Sequence, residues 1–210
     1  FIDQCFDCER GRVTDLEKNR LTKGRESGGD IWISRTGYTG EDGFEVVASA
    51  KVIGRIWERV LEIGTPHGLR PAGLGARDTL RTEACYPLYG NDLDESTTPI
   101  EAGLGYFVAL EKGEFAGRAI LAEQKAKGTK RKLIAFKMAE RSAPPRPHYP
   151  IWSSGPDAKK IGEVVGGMQS PSLGMGIGMG YVTPEFAKAD TKIEIEIRGK
   201  RSAAVVVKKP

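Results

Sequence analysis

A chain of 210 residues, 29% of them charged and 39% hydrophobic, can fill one large domain or two of ordinary size, and its balance is that of a globular protein. The net charge of +4 comes from Lys and Arg interspersed with Asp and Glu, without the dense basic stripe and aromatics that nucleic-acid binding needs; it suits a small anionic ligand or an acidic partner. No apolar run nears the roughly 18 residues of a membrane span, and the N-terminus shows no signal-peptide pattern.

Residues 1–30 hold many charges and few apolar anchors. A loop or weak helix is expected around Val13 to Leu21, and a turn at Ser27-Gly28-Gly29-Asp30. Cys5 and Cys8 have the spacing of half a zinc site, but no second such pair follows and His67 and His148 stand alone, so no metal site is expected. With Cys85 the cysteine count is odd and sparse, which argues for a reducing compartment rather than a disulfide framework. Ile31 to Ser34 and Phe44 to Ala48 read as the strands of a hairpin. The stretch Arg35-Thr-Gly-Tyr-Thr-Gly-Glu-Asp-Gly-Phe-Glu45 joins them, and its glycines allow tight turning and close approach to the backbone. It either gathers Tyr38, Glu41, Asp42 and Glu45 near one spot or is an ordinary hairpin turn. On the second strand Phe44 and Val46 share one face, Glu45 and Val47 the other. Glu45 is then either a partly buried carboxylate that needs partners or one that faces solvent.

Lys51 to Ile63 carries Val52, Ile53, Ile56, Trp57, Val60 and Leu61 as one helical stripe, with Gly64 as its C-cap and Pro66 as its stop. A second helix is expected from about Leu74 to Ala84, with Ala76, Leu80 and Ala84 as its apolar line and Cys85 packing at its end. Arg77 abuts that line. Its planar fork suits a carboxylate, and a surface pair with Asp78 or a glutamate is the plainer alternative. Tyr86 to Gly105 is rich in turn formers and acids; it is not a calcium loop, because Ser96 stands where that loop requires glycine. Long ordered loops of this kind are disproportionately functional. Tyr106 to Leu110 reads as a short strand and Phe115 to Lys127 as a helix.

Past Gly128-Thr-Lys-Arg131 the pattern turns to strands: Leu133 to Met138, Ile161 to Gly166, Ile177 to Val182, Lys192 to Arg198 and Ala203 to Val207, with a proline-rich extended loop over Glu140 to Tyr149. Ile193, Ile195 and Ile197 alternate with Glu194, Glu196 and Arg198, as a half-buried strand requires. Gly199 closes a hairpin, and the whole reads as a small sandwich or barrel. The glycines of Gly166 to Gly180 do not open a helix, so they are no dinucleotide fingerprint.

Three stretches stand in the order and spacing of one family. They are Arg35 to Glu45, then Ala72-Gly-Leu-Gly-Ala-Arg77-Asp-Thr-Leu-Arg81, then Leu88-Tyr-Gly-Asn-Asp-Leu-Asp-Glu-Ser-Thr-Thr-Pro-Ile-Glu-Ala-Gly-Leu104. With Gly167 to Val182 and Arg198 to Lys208, they make the chain resemble aminomethyltransferase, the T-protein of the glycine cleavage system, from about residue 31 to 210. The resemblance implies an α+β fold. A partial folate-binding domain of strands and helices occupies 31–128, a small all-β barrel follows at 129–210, and 1–30 is unassigned. It also implies transfer of a one-carbon unit from the aminomethyl-lipoyl arm of H-protein to tetrahydrofolate, with release of ammonia. Glu45 matches the family's pterin-binding glutamate, which suits the adjacent N–H donors of a pterin. Tyr38 matches a tyrosine lining that pocket, Arg77 a folate-site arginine, and Arg146 an arginine of the barrel that faces the cleft. Family members are cytoplasmic in bacteria and mitochondrial in eukaryotes; neither nucleic acid nor a membrane is implied.

The family's essential aspartate lies upstream of the matching stretches. Asp3, Asp7 and Asp15 stand in unmatched sequence, so no catalytic residue is assigned, and the C-terminus is short by a few residues. The expectation is roughly the second half of an aminomethyltransferase, a fragment or a short homologue, with a partial folate site and little catalysis alone. The alternatives are a non-catalytic folate-binding module and the folate half of a sarcosine- or dimethylglycine-oxidising enzyme. A relative from iron–sulfur cluster maintenance carries Lys-Gly-Cys-Tyr-x-Gly-Gln-Glu, and the corresponding stretch here, Glu83 to Gly90, shares only Cys85-Tyr86 with it, which disfavours that reading.

Overall fold

A computed structural model describes residues 1–9, 11–26 and 28–210. The fold is α+β and divides into two compact units, Phe1–Leu80 and Arg81–Pro210.

The first unit is built on an open antiparallel sheet in the order β1-β2-β3-β4, with β1 at Asp7–Cys8, β2 at Leu21–Glu26, β3 at Gly29–Ser34 and β4 at Glu45–Ala48. Residues 1–30 are therefore better ordered than their composition suggests. Helix α1 (Ile2–Cys5) and a 3-10 turn at Val13–Asp15 bring Cys5, Phe6 and Val13 into the core, where Ile31, Ile33, Val52 and Ile56 meet them. Ser27 of the expected turn lies outside the described residues; Gly28 takes φ +108° and β3 begins at Gly29. Alternation along β3 sends Ile31 and Ile33 inward and leaves Trp32 exposed. On β4, Val46 and Ala48 pack toward the core with the preceding Phe44, while Glu45 and Val47 are exposed.

Helix α2 (Ala50–Gly64) buries Val52 and Ile56 and packs Val60 and Ile63 beside them. The sequence stripe is two residues wide, and only one line of it meets the sheet; Ile53 and Trp57 are exposed. Gly64 is not the capping glycine. It keeps helical angles at the helix end, the chain continues through a 3-10 turn at Thr65–His67, and the left-handed residue is Gly68, at φ +87°. Pro66 fits this turn because a first-turn proline lacks only an N–H that has no partner there.

The second unit opens with the last turn of helix α3 (Leu74–Glu83). The expected apolar line on α3 is not its buried face. Ala76 and Leu80 are exposed, and the residues that bury are Arg81 and Thr82. A long irregular connection leads to helix α4 (Arg118–Lys127). Tyr106 to Leu110 is not a strand: 3-10 turns occupy Gly105–Phe107 and Leu110–Lys112, with Tyr106 and Phe107 exposed. The run is apolar, but Gly103 and Gly113, both at positive φ, bend the chain on either side of it.

The barrel is closed, in the order β10-β5-β8-β7-β6-β9, and all its pairings are antiparallel. Its strands are β5 (Lys132–Met138), β6 (Pro150–Ser153), β7 (Lys160–Ser170), β8 (Met175–Val182), β9 (Lys192–Ile197) and β10 (Lys200–Val207). Strand β6 has no counterpart in the sequence reading, since four residues entered by Pro150 carry little alternation. Ile193, Ile195 and Ile197 point inward as their spacing predicts, joining Phe136, Ile151 and Val206. The glycines of β7 and β8 serve packing. A Cβ on Gly178 would come within 2.6 Å of the Phe136 ring, so the small residue makes room for the large one. Among the described residues no helix is long and apolar enough to cross a membrane.

Candidate functional site

Glu45 opens β4, the edge strand of the first sheet, in register with Ser34. Edge position and outward alternation together leave it exposed, which decides between the two readings its sequence allowed. Its Oε2 accepts a short hydrogen bond from Thr36 Oγ1, which lies 2.9 Å from Ser34 Oγ. Among the described residues its other carboxylate oxygen has no partner and can accept further donors.

Tyr38 sits half-buried in the β3–β4 connection, and the guanidinium of Arg77 lies over its ring, 4.5 Å from the centroid. Arg77 is exposed rather than tucked beside an apolar stripe, because α3 turns a different face inward. Stacking on an aromatic face suits guanidinium, being planar and weakly hydrated.

Of the two conspicuous acids of the connection, Asp42 holds its shape. Asp42 takes a two-pronged bond from Arg35, at 3.0 and 2.7 Å, and the same guanidinium donates to the carbonyls of Thr14 and Leu16 at 3.2 and 2.8 Å. Hydrogen bonding from Arg35 holds the Asp42 carboxyl below its ordinary range. Sequence reasoning passed over Arg35; the signal was an arginine and an aspartate flanking two glycines, Gly37 and Gly40. Gly43 has open space where a Cβ would stand, and at Gly37 a Cβ would make only an ordinary 3.9 Å contact with the Glu41 carbonyl, so neither marks a close packing contact in this structure.

The upstream acids have local partners. Asp3 accepts from the Thr14 amide and hydroxyl at 3.0 and 2.7 Å, and Asp15 pairs with Arg12. Arg146 stands exposed on the connection between β5 and β6, in the second unit.

Within the second unit the acid-rich loop is tied down by a network the sequence did not disclose. Arg81 and Asp92 form a buried ion pair, 3% and 1% exposed. The carboxylate also accepts from the Leu88 amide at 2.8 Å, and Tyr181 donates to the Asp92 carbonyl at 3.0 Å. Burial pushes the Tyr181 phenol up to about 12. Arg131 lies 4.6 Å over the Tyr181 ring and donates to Thr97 Oγ1 at 3.1 Å. Strand β7 has a register shift between Val164 and Gly166, and a Cβ at Gly166 would stand 2.8 Å from Asp92 Oδ1. That oxygen is buried and has no hydrogen-bond partner among the described residues. Cys85 packs beside Leu133 and Met179, and all three cysteines are free thiols.

Comparison with known proteins gives these features a family. Residues 12–112 match the family described as GCVT N-terminal domain, and residues 131–210 match the glycine cleavage T-protein C-terminal barrel domain. The first match starts upstream of the motifs and takes in β2. Proteins named aminomethyltransferase from Bacillus cereus and Bacillus mycoides are each 50% identical over 179 residues, 85% of this chain and 48% of theirs. The crystal structure of glycine cleavage system aminomethyltransferase T from Bartonella henselae superposes with a TM-score of 0.78 at 34% identity, over 86% of this chain and 49% of that one. The chain thus spans about half the length of the curated relatives it matches. Two consecutive domain matches, relatives at this identity and a shared fold make the chain a member of the aminomethyltransferase (glycine cleavage T-protein) family.

Proposed function

We propose that the chain carries the tetrahydrofolate-binding part of a glycine cleavage aminomethyltransferase, which moves a one-carbon unit from aminomethyl-lipoyl H-protein to tetrahydrofolate and releases ammonia. The observation that carries the reading is that one unit holds both a stacked Arg77–Tyr38 platform and a Glu45 carboxylate open on its edge strand. The donor set fits the ligand. A pterin is flat and presents adjacent N–H groups; an ionised carboxylate accepts two such donors, and charge-assisted bonds of this kind are the stronger ones.

In this reading Glu45 orients the pterin by accepting its N–H groups, and the Thr36 hydroxyl fixes the carboxylate by holding Oε2. Tyr38 and Arg77 offer an aromatic and a cationic face to the ring system or to the anionic end of the ligand. Arg146 is proposed to line the cleft from the barrel. Tetrahydrofolate supplies the nitrogens that receive the one-carbon unit. The domain boundaries proposed from the sequence, 31–128 and 129–210 with 1–30 apart, accompany this reading, as do H-protein as partner and a cytoplasmic setting like that of the bacterial relatives. No carboxylic acid on the chain is assigned to the family's aspartate, so slight turnover is expected from the chain alone. Methylenetetrahydrofolate formation from aminomethylated H-protein checks this; turnover equal to a full-length relative's contradicts it.

A further inference from the structure

The barrel has two adjoining hollows. One, of about 720 Å³, is lined by Met175, Pro144 and Gln169, with the buried core residue Met138 beneath them. The other, of about 360 Å³, is bounded by Arg198, Lys200 and Ser202. Glu140, Arg141 and Ser142 belong to the walls of both. The larger volume falls in the range of small-molecule sites, roughly 300–1,000 Å³.

Some cations of the barrel are matched, Arg131 with Glu101, Lys159 with Glu185, Lys160 with Glu163 and Arg201 with Glu194. Arg141, Arg198 and Lys200 form no ion pair among the described residues, although they line one cleft. The single acid there, Glu140, is engaged by the Ala203 amide at 3.1 Å. Arg198 is held at φ +54°, a conformation that disfavours a branched or bulky residue and is set by the tight β9–β10 hairpin. Three cations without ion pairs among the described residues, beside a hollow of mixed lining that holds Met175 and Pro144, suit a ligand with an uncharged body and an anionic head.

We propose that the barrel holds a second binding site, for an organic anion with an apolar or aromatic body, in the paired hollows around Glu140–Ser142. The body lies on Met175 over Met138, and the head group is taken by Arg141, Arg198 and Lys200. The site stands on these residues alone and does not depend on the folate reading.

The methionines provide the readout. The chain has four, of which Met138 and Met175 line the larger hollow, while Met179 belongs to a different cluster on the barrel. With methyl-¹³C methionine, each assigned by substitution to leucine, the protein is titrated with benzoylglutamate, with phenyl phosphate and with the uncharged bis-amide of benzoylglutamate. The expected result is saturable movement of the Met138 and Met175 signals with one or both anions, Met179 staying still, and binding at least about tenfold weaker for the bis-amide. Which anion binds more tightly separates a carboxylate from a phosphate head. Arg141→Ala with Lys200→Gln should weaken the anion about tenfold or more, and so should Arg198→Gly, which keeps the hairpin because glycine accepts positive φ. Added salt should weaken it too, and Glu45→Gln should leave it unchanged. Stationary Met138 and Met175 signals, equal binding of the bis-amide, or binding indifferent to the three cations overturns the proposal.

Discussion

The two units solve opposite problems with the same strand chemistry. The barrel closes on itself, so no edge is left unpaired, and its interior is filled by alternating isoleucines and valines with Phe136. The first unit leaves β1 and β4 as open edges, and its outer surface shows Trp32, Val47, Trp57 and Leu74. Its charged groups of interest, Glu45 and Arg77, are exposed, whereas the second unit's strongest pair, Arg81–Asp92, is sealed. The difference teaches where the proposed folate contacts are accessible and where a loop is rigidly held. An open strand edge with an available carboxylate can meet a ligand; a closed barrel with a buried ion pair fixes a loop.

Large core truncations test the comparison most severely. Phe136→Ala should cost about 3–5 kcal/mol and release amide protection throughout the barrel. Ile33→Ala, which empties part of the first core, should cost about 2–5 kcal/mol and raise exchange chiefly within residues 1–80. Hydrogen exchange measured with each variant shows whether the units open separately; identical exchange profiles would erase the distinction. Asp92→Ala should be similarly harmful, about 3–5 kcal/mol, because it leaves Arg81 buried without its counter-charge. Urea denaturation of Asp92→Ala and of the double variant Arg81→Met/Asp92→Leu distinguishes the two costs, the double variant recovering much of the loss if burial of an unmatched charge is the cause.

Substitutions on the first unit should act on binding rather than folding. Tyr38→Ala removes the ring beneath Arg77 and should weaken folate binding several-fold, with urea midpoints nearly unchanged. The smallest effect is the acid dependence of the connection. Asp42 has its folded pKa lowered by Arg35, so its contribution is full above the unfolded carboxylate range and is lost as pH falls through the folded value. The Asp42 carboxyl should titrate below the ordinary aspartate range by NMR, and Arg35→Gln should return it upward. An unshifted titration would remove the clamp from the account.

How much of this the sequence disclosed follows from period. Strand β9 was legible because Ile193, Ile195 and Ile197 alternate with charges, and β3 and β4 because short apolar runs flank glycines. Helix α3 was legible as a helix but not in its orientation. Ala76 and Leu80 form the apolar line, yet Arg81 is buried, because an ion pair with a loop residue eleven positions later outweighs a weak stripe. Short β6 and the 3-10 turns near Tyr106 leave no periodic trace. The candidate site residues came from resemblance, while the Thr36 hydroxyl on Glu45 and the Arg35 clamp needed coordinates, since neither spacing nor composition says which hydroxyl faces which acid.

The central claim, that Glu45 is the anchor for a pterin, is tested most directly by calorimetric titration of the chain with 5-formyltetrahydrofolate, wild type against Glu45→Gln. Saturable binding that falls at least about tenfold in the variant, at unchanged thermal midpoint, is the predicted result; equal affinity for both proteins would contradict it.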